Sequence, residues 1–292
     1  MPDDKTLDRW LSEPAEKLLR AHGNGDWVDS LNTTVLQALE RTDSEPVQTI
    51  TGGLYGAIVE VEKDGQPMIL KFLPPDRAAH QIVALEALDG DHCPTIYEIN
   101  REKGWLLMEK LIGRPVDFDE PVDIEEAYRA VSTIWSHPLE KNDLMYRTMT
   151  ASWFSPPEDA PDDLKEILRI AYELDRDRAN EPQYHIHGDI GVHNLFQLAS
   201  GSIAFVDPGG TLGPKAWDLG CLASWSGRPK REAVNVSIEL ANISGEDPKE
   251  ISRWAITRTI TSANLGYQRG NKIQYKECLE AVPFLLEQFN KL

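Results

Sequence analysis

HGDIGVHN at residues 187–194, followed by DPGG at residues 207–210, is the stretch from which the rest of this chain can be read. Between the two motifs, Leu195 to Gln197 and Ile203 to Val206 read as short strands joined across Ser200 and Gly201, a dipeptide of the type that closes a two-residue hairpin. With those two residues as the turn, 198 pairs with 203 and 195 with 206, and Asn194 is expected beside Asp207. Directly opposed residues of an antiparallel pair lie roughly 5 Å apart at Cβ, close enough for an amide oxygen and a carboxylate to share one hard cation. Magnesium takes few protein oxygens and uses substrate phosphates for the rest. The pattern outlines a site for phosphoryl transfer.

The spacing also matches the kinase signature set, in which a His-x-Asp-x4-Asn loop precedes an Asp-x-Gly metal loop. In that scheme Asp189 accepts or orients the proton of a substrate hydroxyl, Asn194 and Asp207 hold magnesium, and His187 orients the loop by hydrogen bonding. Gly209 and Gly210 let the backbone turn. Gly188 stands where the kinase pattern has the arginine that reads a phosphorylated activation loop, and only ten residues separate Asp207 from Asp218 of the Trp217-Asp218-Leu219 motif. No activation-loop switch is expected. A zinc reading exists for His185 and His187, which at i and i+2 on a strand point to one face. It needs further ligands downstream, and no histidine follows His193. His185 is therefore read as a strand-end or core histidine.

A phosphotransfer site needs a nucleotide-binding region upstream, and one is readable. Residues 46–51 (PVQTIT) and 57–61 (AIVEV) are β-rich and flank Gly52-Gly53-Leu54-Tyr55-Gly56, a turn in which Gly53 and Gly56 are candidates to approach phosphates, although an ordinary hairpin turn fits equally. After a turn at residues 63–66 comes MILKF, which embeds Lys71 in an apolar strand; a lysine there is costly to bury without partners. The expected partners are nucleotide phosphates and a helix glutamate. The segment DRAAHQIVALEAL (residues 76–88) has helical spacing, and Glu86 is its one glutamate. Two more strand-like runs, at 94–99 and 105–108, lead into a connector at 109–113. In kinase-like folds adenine lies against this connector, which makes Met108, Glu109 and Leu111 candidate nucleotide contacts, the last two through their backbone.

On MILKF, LLMEKL, HIHGDIGVHNLF, IAFVDPGG, WDLG and the late segment DPKEISRWAITRTITSAN, the chain resembles the aminoglycoside phosphotransferase family, and within it the streptomycin and hydroxyurea kinase branch. The resemblance covers roughly residues 50–270. It implies an α+β, protein-kinase-like two-lobe fold, with a small β-rich N-lobe and a larger helical C-lobe. It also implies ATP and Mg2+ as cofactors and phosphorylation of a hydroxyl on a small molecule, with antibiotic resistance as a biological role. The branch more often has DPKP where this chain has DPGG, and residues 1–45 are not readily matched to it. Both departures bear on the acceptor. Kinases of primary metabolites such as choline, homoserine or a sugar amine are the alternative, and a nucleotide-binding pseudokinase acting through partners is a reading of a different class.

Composition agrees with a globular enzyme. The chain has 292 residues, 41% of them hydrophobic, with eight tryptophans, which suits two lobes. Three scattered cysteines form neither a disulfide framework nor a metal cluster and favour a cytoplasmic location. No long apolar run marks a membrane span. The net charge of -18, from 48 acidic and 30 basic residues, argues against nucleic-acid binding. It is first an expectation of solubility, and it would also draw a cationic acceptor toward a cleft. Monomer and homodimer both remain open.

The domain reading is a helical extension over residues 1–45, a nucleotide-binding N-lobe over 46–112 and a helical C-lobe over 113–292. Further helices are expected opening near Ile124, through about Asp177, and near 230–243, 247–267 and 273–290. Trp217, Trp225, Trp254, Asn264 and the acidic loop from Glu158 to Asp163 are candidate linings of the acceptor pocket. Asp218 is expected to accept backbone N–H bonds from the loop carrying Asp189, because a buried carboxylate needs such partners.

Overall fold

A computed structural model describes residues 10–50, 55–117, 120–139, 154–175 and 182–292 of this chain. Its Cα framework divides into Met1–Ile112 and Gly113–Leu292.

The first unit begins with helices α1 (Glu13–Ala21) and α2 (Gly25–Thr42). Ser12 caps α1 by accepting from Ala15 N, and α2 ends at Asp43 in the left-handed region. Strands β1 (Glu45–Ile50), β2 (Ala57–Lys63), β3 (Gln66–Phe72), β4 (Ile96–Asn100) and β5 (Trp105–Glu109) form an antiparallel sheet in the order β1-β2-β3-β5-β4, with α3 (Pro75–Leu88) between β3 and β4. The period of two along the strands decides which residues meet the helices. Ala57, Val59, Val61, Leu70, Phe72, Trp105 and Leu107 share one core with Leu11, Ala15, Leu19, Leu31, Val35, Ala38 and Leu39 from the amino-terminal segment. Residues 11–39 are thus an integral cover of the sheet. Lys71 falls on the alternate parity, paired with Ile58 and Leu106.

The second unit holds β6 (Gly113–Pro115), α4 (Ile124–Trp135), α5 (Asp162–Asp175), β7 (Tyr184–Ile186), β8 (Leu195–Leu198), β9 (Ile203–Phe205), β10 (Thr211–Gly213), α6 (Lys215–Ser224), α7 (Ala233–Ser244), α8 (Pro248–Gln268) and α9 (Lys272–Phe289). Its strands form two small sheets, β6-β8-β9 and β10-β7. Helix α8 is the centre of this unit, buried on nearly every face and packed on α5, α6, α7 and α9. Its hydroxyls do not oppose burial, because Thr257, Thr259 and Ser262 donate to carbonyls one turn back, at Arg253, Ala255 and Arg258. A Cβ on Gly220 of α6 would lie 2.3 Å from Trp254 Cβ; the absence of a side chain there lets α6 and α8 approach closely.

The β8–β9 hairpin departs from its expected register by one residue. Gln197 pairs with Ile203 and Leu195 with Phe205, not 198 with 203 and 195 with 206. The loop has three residues, 199–201: Leu198 N donates to Ser202 O and Gly201 N to Leu198 O, both at 2.9 Å. Gly201 takes φ +89°, the left-handed third position that such three-residue loops favour. As a consequence Asn194 faces Val206, whose N–H donates to its carbonyl at 2.9 Å, and Asp207 lies one step further on.

Candidate active site

Strand β7 pairs with β10 through Ile186–Thr211, His185–Leu212 and Tyr184–Gly213. The chain leaving β7 therefore runs through residues 187–194, the β8–β9 hairpin and residues 207–210, and returns beside its own start. Hydrogen bonds close the circle. Gly209 N donates to His187 O at 2.9 Å, and Asn194 Nδ2 donates to Asp189 O at 2.8 Å. His187 is fully buried, and burial pushes its pKa down, so the ring is neutral. Its Nε2–H donates to Val206 O at 2.9 Å, and its Nδ1 accepts from Asp189 N at 3.3 Å. With both nitrogens committed, His187 ties the two motifs together. Asp207 itself sits at φ +62°, an uncommon conformation for a residue with a side chain and one that clusters at functional sites.

Asp218, the fourth residue of α6, lies beneath the loop. Its Oδ2 accepts from His187 N at 2.8 Å and from Trp135 Nε1 at 3.3 Å, and its Oδ1 from Gly188 N at 2.9 Å. Burial raises its pKa, opposed by the backbone and indole donors around it. Trp217, one residue before it, donates from Nε1 to Gly188 O at 2.9 Å and meets Trp254 with ring centroids 4.5 Å apart.

Asp189 is 52% exposed at its side chain. Oδ1 forms an ion pair with Arg258 Nη2 and lies 3.8 Å from His193 Nε2; among the described residues Oδ2 has no partner. The desolvating surroundings would raise its pKa, yet Arg258 and then His193 outweigh them and hold the carboxyl well below the usual range. Arg258 was not anticipated. The signal available was its isolation as the one charged residue between Trp254 and Tyr267 of a late helix, since a buried charge requires a partner.

The expected acceptor-pocket residues are distributed differently from that expectation. Trp217, Trp254 and Asn264 are buried, at 7%, 4% and 2% exposure. The two tryptophans back the loop, and Asn264 Nδ2 donates to Ser155 O at 3.3 Å, tying α8 to the segment before α5. Trp225 is half-buried, with its ring 5.6 Å from that of His193 and with Lys230 Nζ 3.3 Å over it. In the acidic loop, Asp159 O accepts from Tyr267 at 2.9 Å.

The donor set of Asn194 and Asp207 fits a hard cation. Donation from Nδ2 to Asp189 O fixes the Asn194 amide so that Oδ1 is the atom left for a ligand. An amide oxygen and a carboxylate are the few protein oxygens magnesium takes when phosphates supply others.

In the first unit, Lys71 is 4% exposed within β3. Its expected partner is engaged elsewhere: both Glu86 oxygens accept from Arg101 Nη2, at 2.7 and 2.5 Å, in an exposed ion pair. The spacing of α3 turns Glu86 outward and instead buries Gln81, at 6%. Gly56 has a packing reason to be glycine, since a Cβ there would lie 2.2 Å from Phe72 O; Gly53 lies outside the described residues. Met108 is buried in β5, Glu109 exchanges bonds with Thr95 through its N–H and carboxylate, and Leu111 is half-buried beyond the strand.

The profile of the phosphotransferase enzyme family matches residues 46–251. No curated protein matches the chain. Among solved structures, the choline kinase LicA from Streptococcus pneumoniae is similar at a TM-score of 0.64 and 13% identity, covering 88% of this chain and 99% of LicA. The aminoglycoside phosphotransferase APH(4)-Ia is similar at 0.61 and 11%, covering 88% and 98%. A thermostable mutant of that protein, in ternary complex with ADP and hygromycin B, is similar at 0.59 and 11%, covering 86% and 96%. The fold is protein-kinase-like, with an antiparallel sheet in the first unit and a mainly helical second unit.

Proposed function

This chain belongs to the phosphotransferase enzyme family, and we propose that it is an ATP- and magnesium-dependent kinase of a hydroxyl on a small molecule. The single observation that carries this reading is the Asp189 carboxylate, half exposed and with Oδ2 unengaged among the described residues, in the same bonded loop as Asn194. An acceptor hydroxyl hydrogen-bonds to Asp189 Oδ2. Its oxygen forms a bond to the γ-phosphorus as the bond to the β,γ-bridging oxygen breaks; the proton passes to Asp189 and ADP leaves with the electron pair. Asn194 and Asp207 hold magnesium, which neutralises phosphate charge. His187 and Asp218 keep the loop rigid, and Lys71, Met108, Glu109 and Leu111 are the proposed nucleotide contacts.

For the acceptor we propose an aminoglycoside or aminocyclitol, as the resemblance to the streptomycin branch implies. The net charge of -18 supports a cationic molecule. The similarity to a choline kinase supports a second reading, a smaller cationic alcohol. Buried free thiols at Cys93, Cys221 and Cys278, all with pKa raised by burial, support a cytoplasmic setting. No helix among the described residues is long and apolar enough to cross a membrane. The test is magnesium-dependent ATP consumption with streptomycin, other aminoglycosides, choline, homoserine and neutral sugars, at low and high salt. A cationic acceptor should bind more weakly as salt rises, because exposed charges are screened over about 8 Å at physiological ionic strength. Activity confined to an uncharged acceptor would remove the aminocyclitol proposal and leave the kinase. Asp207→Ala should abolish transfer and weaken magnesium-dependent nucleotide binding; turnover with unchanged magnesium dependence would remove the metal assignment.

A further inference from the structure

We propose that Arg258 is a positioning residue for the transfer reaction, selecting which oxygen of Asp189 meets the acceptor hydroxyl; this rests on the assignment of Asp189 as the base. Arg258 is only 11% exposed at its side chain and stands on α8, the central helix of its unit. The depth of α8 is set where Gly220 lets α6 approach Trp254. Trp254 is one turn before Arg258, and their side chains share a face. Through Trp254 and Trp217 this face backs Gly188, and through Arg258 it reaches Asp189, so one helix addresses two consecutive loop residues.

Both Arg258 and His193 approach the Asp189 carboxylate at one oxygen. Arg258 Nη2 pairs with Oδ1, and His193 Nε2 is nearest Oδ1 as well, at 3.8 Å. Oδ2 is left for the acceptor. A half-exposed carboxylate without this anchor rotates about its side-chain bonds, and a displacement of about 1 Å at a reacting centre can cost on the order of 10² in rate. Arginine also lowers the proton affinity of its partner. That is tolerable in a loose phosphoryl-transfer transition state, where catalysis is almost entirely positioning and electrostatic stabilisation. The planar guanidinium suits this task better than a flexible ammonium.

The experiment compares wild type, Arg258→Ala and Arg258→Lys for turnover of MgATP, with water and with each acceptor of the panel, alongside the melting temperature. Arg258→Ala should lose on the order of 10- to 10²-fold in kcat, with KM for MgATP changed less than about twofold. Arg258→Lys should recover part of the loss, and added guanidinium chloride at low millimolar concentration should raise kcat of Arg258→Ala but not of Asp189→Asn. Unchanged kcat in Arg258→Ala overturns the inference. So does a loss that neither lysine nor guanidinium relieves, which would make Arg258 structural. An active wild type in those cases leaves the kinase reading intact; a wild type that turns over no MgATP overturns that reading and the inference together.

Discussion

Trp217 Nε1 donates to the Gly188 carbonyl at 2.9 Å, placing an indole directly behind the residue that precedes Asp189. The same ring rests on Trp254 of α8, so the loop is braced by a buried aromatic pair. Trp217→Phe retains much of the ring contact and deletes the donor. The expected outcome is a stability loss of about 1 kcal/mol, with reduced kcat and an unchanged KM for MgATP, measured by urea unfolding and steady-state kinetics. A fall in nucleotide affinity alone would contradict a bracing role.

Lys71 and Glu86 should respond differently to removal. Lys71 is buried in β3, whereas Glu86 forms an exposed pair with Arg101. Glu86→Ala should cost no more than about 1 kcal/mol of stability, as surface ion pairs do, and leave MgATP binding intact. Lys71→Ala should weaken productive MgATP binding. Calorimetric titration with a magnesium-bound ATP analogue separates the two; equal losses would return Glu86 to the nucleotide site.

Much of this architecture is legible in the sequence because it is local. The apolar strand that embeds Lys71, the helical periods of α7 to α9 and the two loop motifs all depend on residues close in the chain. The misplaced features depend on other things. Asn194 meets Val206 because Ala199 joins Ser200 and Gly201 in a three-residue hairpin loop, with Gly201 in its left-handed third position, and sequence alone allowed a two-residue turn. Glu86 is the one glutamate of its helix, but the 3.6-residue period turns it toward Arg101. Arg258 is 69 residues from Asp189, a tertiary contact that no local pattern encodes.

Acid should destabilise the protein in a window set by His185. The residue is 1% exposed, and burial pushes its pKa from 6.5 down to about 4, opposed by its Nδ1 contact of 2.8 Å with His137 O. The folded state therefore resists a proton that the unfolded chain accepts. Stability from the neutral ring is fully present above about pH 6.5 and declines as pH falls toward about 4, by up to about 3 kcal/mol. Buried His187, also shifted down, has the same sign. His185→Gln should flatten the decline between pH 6.5 and 4 in urea unfolding; an identical slope would assign the acid sensitivity elsewhere.

Two substitutions separate the chemical from the structural use of Asp189. Asp189→Asn retains an oxygen that can accept from Arg258 and a side chain of nearly the same shape, so the fold and MgATP affinity should survive. Turnover should fall by roughly 10²- to 10⁴-fold, the usual range for a lost general base. Asp189→Ala goes further, because it strips the carboxylate from a guanidinium that is only 11% exposed. Removing one partner of a buried pair can cost about 3–5 kcal/mol; the exposure of Asp189 itself, 52%, brings the expected figure toward about 1–2 kcal/mol. Asp189→Ala should therefore melt below both wild type and Asp189→Asn while being no less defective in turnover. The paired measurement is thermal unfolding and MgATP consumption for both variants. Equal melting temperatures would show that Arg258 finds solvent or another acceptor when the carboxylate is gone, and a fully active Asp189→Asn would remove Asp189 from the chemistry.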